Sequence, residues 1–231
     1  NLNKGYFPTA GNYQRVSYKI STPNSDAKYF KAQYEIRQYF PLTKKHEFAL
    51  LMRGKAGYGN GYGKTDGNDN MYPFYENFYA GGFTTLRGFG SNSVGPRAVY
   101  AQGSNGGIGS NPAYIVTDDS TGGNATALAS VELIVPTPFA SEETQSQIRT
   151  SVFFDMASVW DTEAQYSDSQ IASGSQYYYD YSDPSNFRSS YGAALQWMSP
   201  MGPLVFSIAK PVKIYEGDDE EFFSFTIGRT F

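Results

Sequence analysis

The sequence predicts an all-β fold of antiparallel strands, and three observations carry that reading. Aromatic residues make up 17% of the 231 residues, led by 20 Tyr and 17 Phe, with 24 Gly available for turns. This is a composition of strand formers. Apolar side chains recur at every second position through most of the chain, the period of a strand with two unlike faces. The links between those segments alternate between short and long.

The segments follow in order. Val16, Tyr18 and Ile20 interleave with Arg15, Ser17 and Lys19. Phe30, Ala32, Tyr34, Ile36 and Phe40 share one register, broken only by Gln38, with Lys31, Gln33, Glu35 and Arg37 between them. Phe48, Leu50, Met52 and Ala56 alternate with Glu47, Arg53 and Lys55. Ala127, Ala129, Val131, Leu133 and Val135 alternate with a set holding Ser130 and Glu132; Thr150, Val152, Phe154, Met156 and Trp160 alternate with one holding Arg149 and Asp155. The last three segments carry Phe187, Tyr191, Leu195 and Trp197, then Leu204, Phe206 and Ile208, then Phe223, Phe225, Ile227 and Phe231. About eight strands result, most near the ~9 to 11 residues that a tilted strand needs to cross a bilayer. Short links at 41–46, 136–147 and 199–202 alternate with long ones at 59–123, 161–186 and 212–221, apart from a brief link at 21–28.

Composition removes several function classes. With 18 Lys+Arg against 22 Asp+Glu and no basic cluster, the chain lacks the positive face that collects phosphates, so no nucleic-acid partner is expected. Zero Cys excludes disulfide frameworks, thiolate metal sites and cysteine nucleophiles. The longest apolar run, 48–52, is far short of the roughly 20 residues of a membrane-spanning helix. A mean hydropathy of −0.47 still leaves room for a transmembrane barrel, whose strands need only every second residue apolar. Residues 1–9 show neither a basic leader nor an apolar stretch and the chain does not begin with Met; the opening reads as the tail of a strand entering a turn, so a fragment is expected.

Alternation alone does not separate a soluble barrel from a membrane one, because the two put opposite faces outward with the same period. Three features favour the membrane. Long links fall on one side, Tyr58, Trp160, Trp197 and Phe231 sit near strand ends where aromatic girdles belong, and charges in the apolar register, Lys210 and Arg229, stay near the ends. A charge facing lipid at mid-membrane costs about 2 to 4 kcal/mol.

The segment 73–89 is too rich in rings and glycine for a loop that hangs in water, and is expected to pack inside its own barrel. Arg87 would then meet wall residues, and Glu132 and Asp155 are mid-strand acids in the polar register on consecutive strands. A guanidinium can fork to paired carboxylates, and Gly88 permits a close turn. On spacing alone, Arg87 reads more simply as a solvated loop charge, with the two acids as ordinary lumen residues.

Catalytic and metal chemistry find little support. The single His46 lies in a short turn beside Lys44 and Lys45, away from the long loops, where a general base is not expected. The acids of 118–119 and 218–221 read as solvated faces, and no metal or other cofactor is expected. Gly57, Gly59 and Gly61 are not followed by a helix and fail the context test for a dinucleotide site.

Several stretches together resemble the BamA family of outer-membrane barrel-assembly proteins and its wider superfamily. They are Leu86-Arg87-Gly88-Phe89, the run 72–82, Ser130-Val131-Glu132-Leu133 before the turn 136–139, Asp155-Met156 with Val159-Trp160-Asp161, the run 181–186, Gln196-Trp197-Met198-Ser199-Pro200, and the closing 225–231. The resemblance covers essentially the whole chain. It implies that the loop motif lies inside the barrel with Arg87 on Glu132 and Asp155. It also implies that Phe223, Phe225, Ile227 and Phe231 form a terminal-strand signal, and that the function is non-enzymatic folding and insertion of barrels at a weak seam. Residues 1–231 would be the carboxy-terminal half of a roughly sixteen-stranded barrel in the outer membrane of a Gram-negative bacterium, without POTRA repeats. Unfolded outer-membrane proteins and the lipid bilayer would be partners, with accessory lipoproteins reached through the absent POTRA region. A passive porin or secretion pore of the same superfamily is the alternative that conductance would separate; a soluble β-barrel binding protein would dissolve without detergent. The Gly/Ser-rich region from Arg97 through Asp119 is expected to be mobile.

Overall fold

Alternating β-formers pair into strands in a computed structural model that describes residues 1–45, 47–65, 67–102, 113–138, 140–141, 146–163 and 179–227. The strands are β1 (Gly11–Ile20), β2 (Tyr29–Pro41), β3 (Ala49–Gly61), β4 (Lys64–Thr65), β5 (Asn68–Asp69), β6 (Arg97–Gln102), β7 (Ala113–Ser120), β8 (Ala125–Val135), β9 (Ile148–Trp160), β10 (Arg188–Ser199), β11 (Gly202–Lys213) and β12 (Phe223–Ile227). Eight of them form one antiparallel sheet in the order β1-β2-β3-β8-β9-β10-β11-β12. Each neighbour is also the next wall strand along the chain, the meander of an up-and-down barrel wall. The sheet is open among the described residues, with β1 and β12 at its edges. Strands β2, β3 and β9 are each 13 residues long. At about 3.3 Å per residue and a tilt near 40°, such a strand spans about 33 Å of membrane normal, enough for a hydrocarbon core of about 30 Å.

The two faces of this sheet are inverted relative to a water-soluble protein. Val16, Met52, Phe154, Leu195 and Ile208 point to one side and remain open. Arg53, Glu132, Arg149, Asp155 and Gln196 point to the other and are buried. A water-soluble barrel would bury the apolar set and solvate the charges; here the apolar set stays open while the polar face of β8 to β10 is packed against chain, and of that face only the polar side chains of the β1 edge are exposed. That placement fits lipid outside and a filled lumen inside.

The filling comes from the long β3–β8 link. Gly57 and Gly59 face the lumen, and rings of that link press close against them: a Cβ on Gly57 would come within 2.6 Å of Phe78, and one on Gly59 within 2.3 Å of Tyr72. Glycine in a strand here marks close approach of another group. Gly59→Ala is expected to displace the Tyr72 ring and lower stability by about 1 to 3 kcal/mol. Chemical denaturation in detergent micelles measures this, and an unshifted midpoint would contradict the packing.

Within the same link two small hairpins form, β4–β5 and β6–β7. The mobility expected from Arg97 onward is replaced at 97–102 and 113–120 by pairing, with Val99 opposite Val116; β-branched residues in the second half of that region make the ladder. Residues 103–112 lie outside the described residues.

Candidate functional site

Arg87 is carried into the lumen by a tight turn. Leu86 donates its N–H to the Gly82 carbonyl, 3.1 Å away, and Leu86 and Phe89 bury with Val94, Leu128, Ala157 and Val159. This apolar anchor holds the loop on β8 and β9, and the charged side chain between the anchors is left facing the wall. Gly88 takes a φ of +91°, and a Cβ there would sit 3.1 Å from Ala209 and 3.2 Å from Ser190. A left-handed residue without a side chain is what lets the loop lie this close to β10 and β11.

The guanidinium then meets both wall acids. Arg87 Nε and Nη2 donate to Asp155 Oδ2 and Oδ1 at 2.7 and 2.9 Å, a bidentate fork, and Nη1 donates to Glu132 Oε2 at 3.0 Å. Its carbon lies 3.3 Å from the centroid of the Phe153 ring, adding a cation–π contact. Ser130 Oγ donates to Asp155 Oδ1 at 2.6 Å, and Ser190 Oγ donates to the Arg87 carbonyl. Register explains the convergence. Asp155 is opposite Ser130 on β8 and Ser190 on β10, while Glu132 is opposite Phe153. Arg87 and Asp155 are fully buried and Glu132 is 2% exposed, so each charge depends on the others. Glu132 Oε1 has no hydrogen-bond partner among the described residues, which leaves Asp155 as the better satisfied acid.

Phe223, Phe225 and Ile227 lie on the opposite, outward face of β12, with 54%, 47% and 58% of their surface open. Phe225 packs against Phe206 of β11, the rings tilted by 31° with centroids 4.9 Å apart. Phe231, Arg229 and His46 lie outside the described residues. The loop motif and the terminal strand therefore do not share a site, but the backbone links them. Gly90 donates to the Asp219 carbonyl at 2.8 Å, Glu221 donates to the Gly88 carbonyl at 3.0 Å, and Phe89 is bridged to Glu220.

A second buried ion cluster corrects the reading of 218–221 as a solvated acidic face at Asp218, while Asp219 and Glu220 are exposed as expected. Asp218 is enclosed, accepting from Arg188 Nε at 2.9 Å and Nη2 at 3.0 Å, with Arg97 Nη2 at 3.5 Å. The Arg188 guanidinium lies 4.5 Å from the Tyr179 ring and 4.2 Å from the Tyr215 ring. Burial among these groups pushes the Tyr179 hydroxyl above its ordinary pKa. The cluster ties β6, β10 and the β9–β10 and β11–β12 links together at the long-loop end. At the same end, Glu76 meets Lys19 and Lys31, and the hydrogen bond from Lys19 holds its carboxyl below the usual range. Among the described residues no group of three or more metal-ligand side chains is placed to hold a metal.

A sheet with an apolar exterior, a polar interior and a loop pinned within it by buried charge defines the wall of a plugged transmembrane β-barrel. Residues 1–231 match the model of the Omp85 superfamily domain; the chain belongs to that superfamily. It is 34% identical to the outer membrane protein assembly factor BamA of Neisseria meningitidis serogroup B, over 97% of this chain and 27% of that protein. A protein of the same name from Nitratidesulfovibrio vulgaris is 27% identical over 89% of this chain and 21% of its own length. The crystal structure of BamA from Haemophilus ducreyi lacking POTRA domains 1–3 superposes with a TM-score of 0.84 and 42% identity, covering all of this chain and 40% of that one. The chain thus spans about a quarter of the length of the curated relatives it matches.

Proposed function

We propose that this chain is the carboxy-terminal portion of the barrel domain of an outer-membrane protein assembly factor, which folds and inserts β-barrel proteins into the outer membrane of a Gram-negative bacterium without covalent catalysis. The observation that carries the reading is the state of β12. Among the described residues it lies at an open edge of the eight-stranded sheet, paired on one side only, Phe223–Ile227 against Leu204–Ile208 of β11. A strand at a sheet edge presents unpaired N–H and C=O groups to any incoming strand. Strand addition to such an edge is driven by main-chain hydrogen bonds and is tolerant of sequence, as a factor serving many clients requires. The buried Arg87 cluster supports the same reading by keeping the lumen filled while the seam works. Accessory lipoproteins would engage the protein through POTRA repeats outside this chain, and unfolded outer-membrane proteins and lipid would meet the barrel itself.

The chain contains no Cys, so a single introduced thiol can report on the seam. In Thr226→Cys protein stalled with a client carrying single cysteines, disulfides are expected at positions of one client strand in a fixed register. Assembly that proceeds with no such adduct would overturn the seam mechanism.

A further inference from the structure

A further charged place lies in the lumen beside the Arg87 cluster, whose Asp155 and Glu132 carboxylates act electrostatically on its Arg53. Between β2, β3 and the tip of the internal loop lies a cavity of about 160 Å³ lined by Glu35, Arg37, Arg53, Lys55, Phe83 and Thr84, among others. Arg37 and Arg53 are directly opposite each other across the β2–β3 ladder, and so are Glu35 and Lys55. Two like charges facing each other across a ladder destabilise the sheet. The one carboxylate lining the cavity is already engaged, since Arg37 Nε donates to Glu35 Oε1 at 2.7 Å. Arg53 is 8% exposed and donates from Nη1 to the Thr84 carbonyl at 3.2 Å. Lys55 makes no hydrogen bond or ion pair among the described residues.

We infer that this cavity is a binding site for a small multivalent oxyanion of the phosphate or sulfate class, held between Arg37, Arg53 and Lys55 and roofed by the loop at residues 83–85. Among the lining side chains three cations face one carboxylate, an excess of two positive charges around a volume that accommodates several waters, or a tetrahedral anion keeping part of its hydration. Guanidinium groups suit such ligands because their planar forks present paired donors. The lining pairs β2 and β3 with the loop that carries Arg87, so an occupant would bridge wall and plug and relieve the Arg37–Arg53 opposition. The inference does not depend on the assembly function, because binding is read directly.

The test is a titration of the detergent-solubilised protein with inorganic phosphate at constant ionic strength, followed by phosphorus NMR and by the unfolding midpoint. A saturable one-to-one response with a raised midpoint is expected. Lys55→Gln is expected to weaken it roughly tenfold, the scale of one charge-assisted contact. Lys210→Gln removes a cation exposed on the outward face and should leave the titration unchanged. A response that does not saturate, that chloride reproduces, or that survives Lys55→Gln intact would overturn the site.

Discussion

Arg87→Met should lower the stability of the barrel by about 3 to 5 kcal/mol, because it strands two buried carboxylates that have lost their shared cation. The pairing itself is weak evidence of net stabilisation, since each ion left water to make it; removal of one partner is what is costly. Unfolding in denaturant, read by fluorescence of Trp160 and Trp197, and loss of heat-modifiable mobility on gels both report the change. The acids are predicted to differ. Asp155 takes the bidentate fork and the Ser130 hydroxyl, whereas Glu132 receives one guanidinium bond, so Asp155→Asn should be more damaging than Glu132→Gln. Glu132→Lys, which sets two buried cations side by side, should be worse than either neutral change. If Glu132→Lys left both mobility and assembly activity intact, the pinning role would be lost.

Asp218→Ala is expected to have an effect of similar size, about 3 to 5 kcal/mol, for the complementary reason: it leaves Arg188 buried between two rings with its carboxylate removed. The consequence should be concentrated at the long-loop end, where the β9–β10 and β11–β12 links meet. Limited proteolysis is the discriminating measurement, with new cleavage expected near Tyr179 and Tyr215 while the short-turn end stays protected. Protection unchanged at the long-loop end would mean that the cluster is replaceable by packing alone.

Much of the wall was legible because a strand writes its two faces into the sequence with period two. Val131 and Phe154 alternate with Glu132 and Asp155 whatever the strands pair with, so the strand set and the short-long order of links could be read directly. Alternation alone did not say which face looked outward, since lipid and a soluble core select the same period; the one-sided long links and the rings near strand ends favoured lipid, and the burial of Asp155 with the openness of Phe154 agrees. The partners of Arg87 lie 45 and 68 residues along the chain. The polar register offered both acids as candidates, but spacing across intervening loops does not encode such contacts and favoured a solvated Arg87; the resemblance carried by the motif decided for the pairing. Asp218 was misread because its acidic neighbours imitate a solvated run, and its partners Arg188 and Arg97 are 30 and 121 residues away in sequence. Gly57 and Gly59 held a signal that went unused: glycine on the lumen face of a strand announces a ring lying across it.

The ladder between 88–90 and 219–221 has a mechanical meaning. The chain leaves that ladder at Glu221 and enters β12 two residues later, at Phe223. Plug and edge strand are therefore geared to one another, with Phe222 as the coupling pin, whose carbonyl still accepts from Ala209 at 2.9 Å. Prising the start of β12 away from β11 loads those bonds first, and each resists with about 0.5 to 1.5 kcal/mol. The β12 edge thus has a stop at the long-loop end, and any displacement of that strand is limited by its tether to the plug.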